Sequence, residues 1–132
     1  MTSRISHTTF NALNAYEQSV WWSRVLGWTD IPDDPNEPGH DECMIIDPAG
    51  PGRLLFIDVP DAKQLRNRIH LDLRPTDHSR EEEVDRLLGL GATLVDDRRR
   101  PDGLGWAVLA DPEGNEFCIL RSDAEVAAAE AG

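Results

Sequence analysis

The chain of 132 residues contains 39% hydrophobic and 29% charged residues, which is typical of a globular protein and too apolar for a disordered one. Its formal net charge of −12, from 13 Lys and Arg against 25 Asp and Glu, would repel phosphate backbones and excludes nucleic acid from the expected partners. No apolar run approaches the ~20 residues of a transmembrane helix, and the N-terminus lacks an apolar signal segment. We therefore expect no membrane partner and a cytoplasmic location.

The first half of the chain predicts one strand, one helix and three further strands. The first strand is predicted near residues 3–10. A helix is predicted over about 15–26, because Asn14 can cap its start and Glu17 stands in the capping-box position. Turn-rich segments separate the three strands that follow, near 28–32, 42–47 and 53–59.

The second half of the chain repeats this order. The stretch "NRIHLDL" alternates apolar and polar residues, which predicts a half-buried strand over 67–74. A helix is predicted over about 78–89, with Ser79 and Glu82 as a capping box. Three strands follow in "ATLVDD", "GWAVLAD" and "NEFCILR". The tail over 123–132 is expected to form a weak helix or a frayed end.

Matching motifs in the two halves indicate an internal repeat. The pairs are "DPAG" with "DPEG" and "LGW" with "LGA", each 64 positions apart, and His7 with His70, which are 63 apart. The sequence therefore predicts a βαβββ module present twice, over about 3–60 and 66–122, within a single domain of residues 1–122. Two such open sheets side by side would enclose a central cleft.

The candidate site residues follow from this symmetry. Because both histidines lie in the first predicted strand of their module, His7 and His70 are expected to line one cavity and face each other. Trp28 and Trp106, on predicted strands, are candidates for stacking on a ligand. Asp72 shares the strand face of His70, so it is a candidate catalytic group that orients or protonates a ligand, or else a structural acid.

The two cysteines are too few for a disulfide framework and lack CxxC spacing. Cys43 and Cys118 are therefore expected to be reduced thiols. Cys118 has three interpretations from the sequence: a soft ligand-binding group, a nucleophile, or a buried thiol that packs as a small apolar side chain.

Three stretches carry a resemblance to a known family: "SVWWSRVLGW", "VPDAKQLRNRIHLDL", and "LGATLV" continued by "GWAVLADPEGNEFCIL". Together they cover about residues 4–121, and they resemble the glyoxalase-like branch of the vicinal oxygen chelate superfamily, the glyoxalase/bleomycin resistance/dioxygenase group. The resemblance implies an α+β fold of tandem βαβββ modules, with a curved mixed sheet around a central cleft. It does not specify the reaction, because the superfamily contains lyases, isomerases, dioxygenases, thiol transferases and drug-sequestering proteins.

Metal-using members of this superfamily take ligands from the first and last strands of each module. By this resemblance His7 and His70 match the first-strand positions. Two imidazoles and a carboxylate would suit Zn(II), Ni(II), Mn(II) or Fe(II). The resemblance thus implies one divalent metal as the cofactor.

The last strands depart from the family pattern. Cys118 stands where the resemblance places a ligand glutamate. Glu116 lies two residues before this position and is a candidate for metal binding or catalysis, although it is displaced along the strand. In the first module the matching position is Phe56 or Ile57, depending on register, and neither binds a metal, so Ile57 is a candidate for ligand contact only.

Three functions remain open from the sequence. The first is a small-molecule site in the cleft whose reaction is unassigned. The second is a metal-independent protein that sequesters a small molecule, for which four tryptophans and the acidic charge favour an aromatic or cationic ligand. The third is a metal-dependent lyase, isomerase or dioxygenase that uses His7 and His70. The resemblance also implies a homodimer.

Overall fold

The structure, a computed structural model, describes residues 1–131 and divides them into two compact units. Unit 1 is Met1–Ala62, and unit 2 begins at Lys63. Each unit has the predicted βαβββ order and a four-stranded mixed sheet, so the α+β fold class is confirmed. A single domain over 1–122 and a cleft enclosed by both modules stay predictions. Gly132, the last residue of the predicted tail, lies outside the described residues.

Unit 1 contains one helix and four strands. The sheet has the order β1-β4-β3-β2, in which β1 is parallel to β4 and the other neighbours are antiparallel. β2 is shorter than the sequence predicts, with two residues. The elements are β1 (Thr8–Ala12), α1 (Ala15–Leu26), β2 (Thr29–Asp30), β3 (Glu42–Ile46) and β4 (Arg53–Asp58).

Helix α1 begins and ends where the sequence predicts. The Asn14 side chain accepts a hydrogen bond from the Glu17 N–H at 3.0 Å, and Gly27 ends the helix in the left-handed region with φ 71°. The fully buried Trp22 packs edge-to-face against Phe10, with ring centroids 5.6 Å apart. Phe10 in turn meets Phe56 of β4 at 5.3 Å. These rings join the helix to the sheet of unit 1.

Unit 2 repeats the arrangement and adds a third helix. Its sheet has the order β5-β8-β7-β6, in which β5 is parallel to β8 and the others are antiparallel. No residue of the added helix, α3, is buried. The elements are β5 (Leu71–Leu73), α2 (Arg80–Gly89), β6 (Thr93–Asp97), β7 (Ala107–Ala110), β8 (Glu116–Ile119) and α3 (Asp123–Ala131).

The first strand of unit 1 is shorter than the sequence predicts. The prediction covers 3–10, whereas β1 begins at Thr8, which pairs with Leu54. A strand extends only as far as its partner supplies hydrogen bonds, and β4 itself starts at Arg53. His7 therefore lies one residue before the strand, where its ring forms a hydrogen bond with the Ser6 hydroxyl at 3.0 Å.

The first strand of unit 2 is also shorter than predicted. In place of a strand over 67–74, β5 has three residues that pair with β8. The backbone N–H of Asn67 donates to the Glu116 carboxylate at 3.0 Å. The backbone at Asn67 is thus hydrogen-bonded to the Glu116 side chain and does not extend the β5–β8 ladder. His70 consequently lies immediately before β5 and not within it.

The helix of unit 2 is fixed by its predicted capping box. The Ser79 side chain accepts from the Glu82 N–H at 3.1 Å, and the Glu82 carboxylate accepts from the Ser79 N–H at 3.0 Å. α2 starts two residues later than predicted because Ser79 is its N-cap.

Among residues 1–131, no helix is long and apolar enough to cross a membrane.

Candidate functional site

One face of the unit 2 sheet carries a cavity of about 560 Å³. Successive residues of a strand point to opposite faces, so Glu116 and Cys118 of β8 line the cavity while Phe117 and Ile119 are buried. The segment before β5 adds basic and polar side chains to the rim. The cavity is therefore lined by strand residues of the sheet and by charged side chains of the preceding segment. All its lining residues belong to unit 2.

His70, Asp72 and Cys118 form a cluster in this cavity. His70 Nε2 lies 3.2 Å from Asp72 Oδ1, and the imidazole, carboxylate and thiol donor atoms all lie within 4.8 Å of one another. Asp72 and Cys118 are direct partners across the parallel ladder of β5 and β8. The side chains of His70 and Asp72 are about half exposed, at 48% and 51%, whereas Cys118 is buried.

The Cys118 thiol is protonated at neutral pH. Burial raises its pKa to about 11, and the charge and hydrogen bond of Asp72 act in the same direction. A nucleophilic cysteine needs a neighbour that favours the thiolate, and Asp72 disfavours it. The raised pKa therefore argues against a nucleophilic role for Cys118 and agrees with a packing role in the metal-free protein, whereas metal binding at Cys118 would have to release the thiol proton. The structure contains both cysteines as free thiols, as expected.

We expect Cys118 of the metal-free protein to react slowly with iodoacetamide at pH 8. A pKa of about 11 leaves roughly one thiol in a thousand ionised at that pH, whereas a free cysteine has a pKa of ~8.5. The rate should therefore keep rising with pH towards pH 11. Mass spectrometry of the Cys43→Ser variant would follow this thiol alone. A rate at pH 8 equal to that of free cysteine would contradict the expectation.

Glu116 lines the same cavity but is held by other partners. Lys63 Nζ donates to Oε1 at 2.9 Å, and the Asn67 N–H donates to Oε2 at 3.0 Å. Burial opposes ionisation of this carboxyl, yet these hydrogen bonds hold its pKa below the usual range. A metal at Glu116 would have to displace Lys63, so its predicted role as a metal ligand stays a prediction.

Trp106 forms an aromatic wall of the cavity and is 44% exposed. Its backbone pairs with Arg98, with the Arg98 N–H donating to the Trp106 carbonyl at 2.9 Å. The buried Arg80 of α2 donates to the carbonyls of Leu104 and Gly105, at 3.2 and 2.9 Å. The helix thus anchors the β6–β7 loop that positions this wall.

Three predicted site residues belong to unit 1. His7 is exposed, Ile57 is half-buried on β4, and Trp28 lines a second cavity of about 360 Å³ within that unit. Trp28 and Trp106 therefore line different cavities. The approach of His7 to His70 stays a prediction.

The spacing of the two repeated histidines gives one alignment of the two units. His7 and His70 are 63 positions apart, and partners in the parallel ladders of both units are 46 positions apart, as in Thr9 with Leu55 and Asp72 with Cys118. On this alignment the counterpart of Cys118 in unit 1 is Leu55, which lies one position before Phe56 and two before Ile57, the two residues that the sequence offers.

Sequence reasoning missed the basic residues around this cavity. Arg66 and Asn67 line it, and Lys63 holds Glu116. They lie in "AKQLRN", which precedes β5 and which the sequence did not mark as part of a site. A run of basic and amide residues just before His70 was the available signal.

Comparison with known proteins supports the fold. A sequence profile described as the glyoxalase-like domain matches residues 7–120. No curated protein matches the chain significantly. Solved structures that match the chain include several at 14–19% identity, which show the fold alone.

Three of these structures are examples. A point mutant of the fosfomycin resistance protein FosX from Listeria monocytogenes, in complex with Mn(II) and 1S,2S-dihydroxypropylphosphonic acid, has a TM-score of 0.68 at 17% identity and covers 100% of both chains. FosX from Mesorhizobium loti has a TM-score of 0.67 at 16% identity, covering 97% of this chain and 99% of its own. A glyoxalase/bleomycin resistance protein/dioxygenase family enzyme from Burkholderia phytofirmans has a TM-score of 0.61 at 19% identity, covering 86% and 94%.

Proposed function

The chain belongs to the glyoxalase-like domain family, and from this premise we propose that it binds a small anionic molecule with a planar group in the cavity of unit 2. No reaction is assigned, since one fold supports several chemistries. The observation that carries the proposal is the lining of that cavity, where Trp106 and Arg66 offer an aromatic surface and a cation.

The size and wall of the cavity suit a small organic ligand. Its volume of about 560 Å³ lies within the ~300–1,000 Å³ of typical ligand sites. Trp106 is exposed enough to stack on a planar group, and Val108 and Leu120 add apolar surface beside it. A planar, partly apolar ligand is the chemistry that this surface favours.

One cation of the lining is available to an anion. Asp96 and Glu116 form ion pairs with Arg98 and Lys63, and the Asp72 carboxylate contacts the His70 imidazole, which carries a charge only when protonated. Arg66 lines the cavity and forms no ion pair within residues 1–131. Salt screens charges beyond ~8–10 Å, so an anion beside Arg66 meets this guanidinium more strongly than the distant acidic groups. We therefore keep the aromatic ligand expected from the sequence and propose an anionic ligand in place of the cationic one.

Metal-dependent lyase, isomerase or dioxygenase chemistry is the second candidate, and the His70, Asp72 and Cys118 cluster favours it. A nitrogen, an oxygen and a sulfur donor within 4.8 Å of one another fit a divalent metal. Such a metal would polarise a substrate oxygen when bound. The Listeria FosX structure contains Mn(II), which supports metal use on this fold. Metal binding through His7 and Glu116, which the sequence predicts, is the alternative ligand set for this second candidate.

A homodimer and a cytoplasmic location, both expected from the sequence, belong to the same proposal. Binding of a small molecule is compatible with either oligomeric state, because every residue that lines the cavity lies in unit 2 of one chain.

The test compares two ligands that share a naphthalene ring and carry opposite charges. We expect calorimetry on the chelator-treated protein to detect binding of 2-naphthoate in preference to 2-naphthylmethylamine. Trp106→Ala should weaken naphthoate binding several-fold by loss of stacking. Arg66→Gln should weaken it roughly tenfold, which is ~1.4 kcal/mol.

Arg68→Gln is the matched control, because Arg68 is also an exposed arginine, two positions away, and does not line the cavity. It should bind naphthoate as the wild type does. Preferential binding of the amine, or equal effects of the two arginine variants, would contradict the proposed anion site.

A further inference from the structure

Three side chains of unit 2 offer three different kinds of metal-ligand atom. His70 offers an imidazole nitrogen, Asp72 a carboxylate oxygen and Cys118 a sulfur, all facing one cavity. Among residues 1–131, no other group of three His, Cys, Asp or Glu side chains brings its donor atoms this close. The cluster therefore has the chemistry of a mixed nitrogen, oxygen and sulfur site.

Unit 1 provides an internal comparison for this cluster. Aligned by the 63-residue spacing of the two histidines, unit 1 has His7, Thr9 and Leu55 where unit 2 has His70, Asp72 and Cys118, and Thr9 pairs with Leu55 as Asp72 pairs with Cys118. Leu55 has no donor atom, and the Thr9 hydroxyl is a poor metal ligand beside a carboxylate. Both units thus have the same parallel ladder, but at these three positions only unit 2 has three side chains that can bind a metal.

We propose that His70, Asp72 and Cys118 bind one Zn(II)-type metal ion within unit 2 alone, without His7 and without Glu116. Sulfur and imidazole donors favour Zn(II) and Co(II), whereas Mn(II) and Mg(II) favour sites made of oxygen. Glu116 stays with Lys63 and Asn67. Three protein ligands leave a fourth tetrahedral position open to the cavity.

The geometry needs only a small contraction. Metal–ligand distances of 2.0–2.3 Å place tetrahedral donors roughly 3.3–3.8 Å apart, against at most 4.8 Å in the structure. The half-exposed side chains of His70 and Asp72 can rotate towards the buried thiol. This inference rests on the second candidate function and deepens it by naming the ligand set and the metal, and the site is complete without an organic ligand.

The test uses Co(II) as a spectroscopic probe of the untagged, chelator-treated full chain under anaerobic conditions. We expect one equivalent of Co(II) to give intense visible bands of tetrahedral coordination and a near-ultraviolet thiolate-to-cobalt charge-transfer band. Zn(II) should displace the Co(II), and Mn(II) should not. Cys118→Ser should abolish the charge-transfer band. His70→Gln and Asp72→Asn should each weaken binding by on the order of 10–100-fold or more.

Two variants serve as controls. Cys43→Ser removes the other buried thiol, and His7→Gln removes the equivalent histidine of unit 1. Both should keep the charge-transfer band and the affinity of the wild type. Since Cys118 is buried, circular dichroism must show that Cys118→Ser folds, and the exposed His70→Gln variant tests the site if it does not.

Three outcomes would overturn the metal site: no Co(II) binding by the folded protein, Co(II) binding without a charge-transfer band, or loss of binding in His7→Gln. The last would assign the metal to the two histidines of the repeat. Naphthoate calorimetry on the metal-free protein is a separate measurement, so failure of the metal site leaves the proposed ligand site standing, and the reverse also holds.

Discussion

Gly105→Ala should destabilise unit 2 much more than Gly103→Ala does, although both glycines have a positive φ. Their φ values are 86° and 88°, a region that costs an alanine on the order of 1–3 kcal/mol. A Cβ on Gly103 would meet no atom within 4 Å. A Cβ on Gly105 would overlap the carbonyl oxygen of Arg98, so the loop backbone would have to move.

The displaced backbone is the one that positions the cavity wall. Arg98 and Trp106 exchange hydrogen bonds of 2.9 and 3.3 Å across the loop. We therefore expect Gly103→Ala to lose roughly 1–2 kcal/mol of unfolding free energy, and Gly105→Ala to lose more and also to weaken naphthoate binding. Urea denaturation followed by circular dichroism measures the first effect, and calorimetry measures the second. Equal stabilities of the two variants would show that the loop relaxes without strain.

Trp22→Ala should strongly destabilise unit 1, because Trp22 is the largest of its fully buried side chains. Trp22 is fully buried and packs edge-to-face with Phe10 at 5.6 Å and with Trp21 at 5.2 Å. Removal of a buried tryptophan leaves a cavity and typically costs ~3–5 kcal/mol. Domains of this size have total stabilities of about 5–15 kcal/mol, so the variant should unfold at a far lower urea concentration.

Ile5→Ala is the control for this prediction. Ile5 is also apolar and in unit 1, but it is 85% exposed, so its loss should change the unfolding free energy by at most ~0.5 kcal/mol. Urea denaturation of both variants, followed by circular dichroism, gives the comparison. A Trp22→Ala variant as stable as Ile5→Ala would mean that the aromatic cluster does not join α1 to its sheet.

The repeated architecture could be predicted from local signals. Helix caps depend on residues three positions apart, so Asn14 and Ser79 are readable in the sequence, and the structure confirms both. The motifs 64 positions apart predicted two βαβββ units, which the structure contains. His70, Asp72 and Cys118 were each named from alternation or motif position, but not as one cluster.

The ends of strands were not predictable in the same way. Alternation shows which residues can share a face, but a strand ends where its partner ends, and the partner is far away in the sequence. β1 and β5 are both shorter than their apolar patterns suggest, because β4 and β8 limit the ladders. The histidines therefore precede the strands that were expected to contain them.

The fold class, the repeat and the helices and strands of the two modules could be predicted from the chain alone, because local periodicity and capping depend on neighbouring residues. Which donor atoms meet depends on the folded chain. Asp72 lies beside Cys118 through a parallel ladder, and Lys63 reaches Glu116 from 53 positions away. Such pairs depend on strand register and on the path of a connecting segment, and neither leaves a local pattern in the chain.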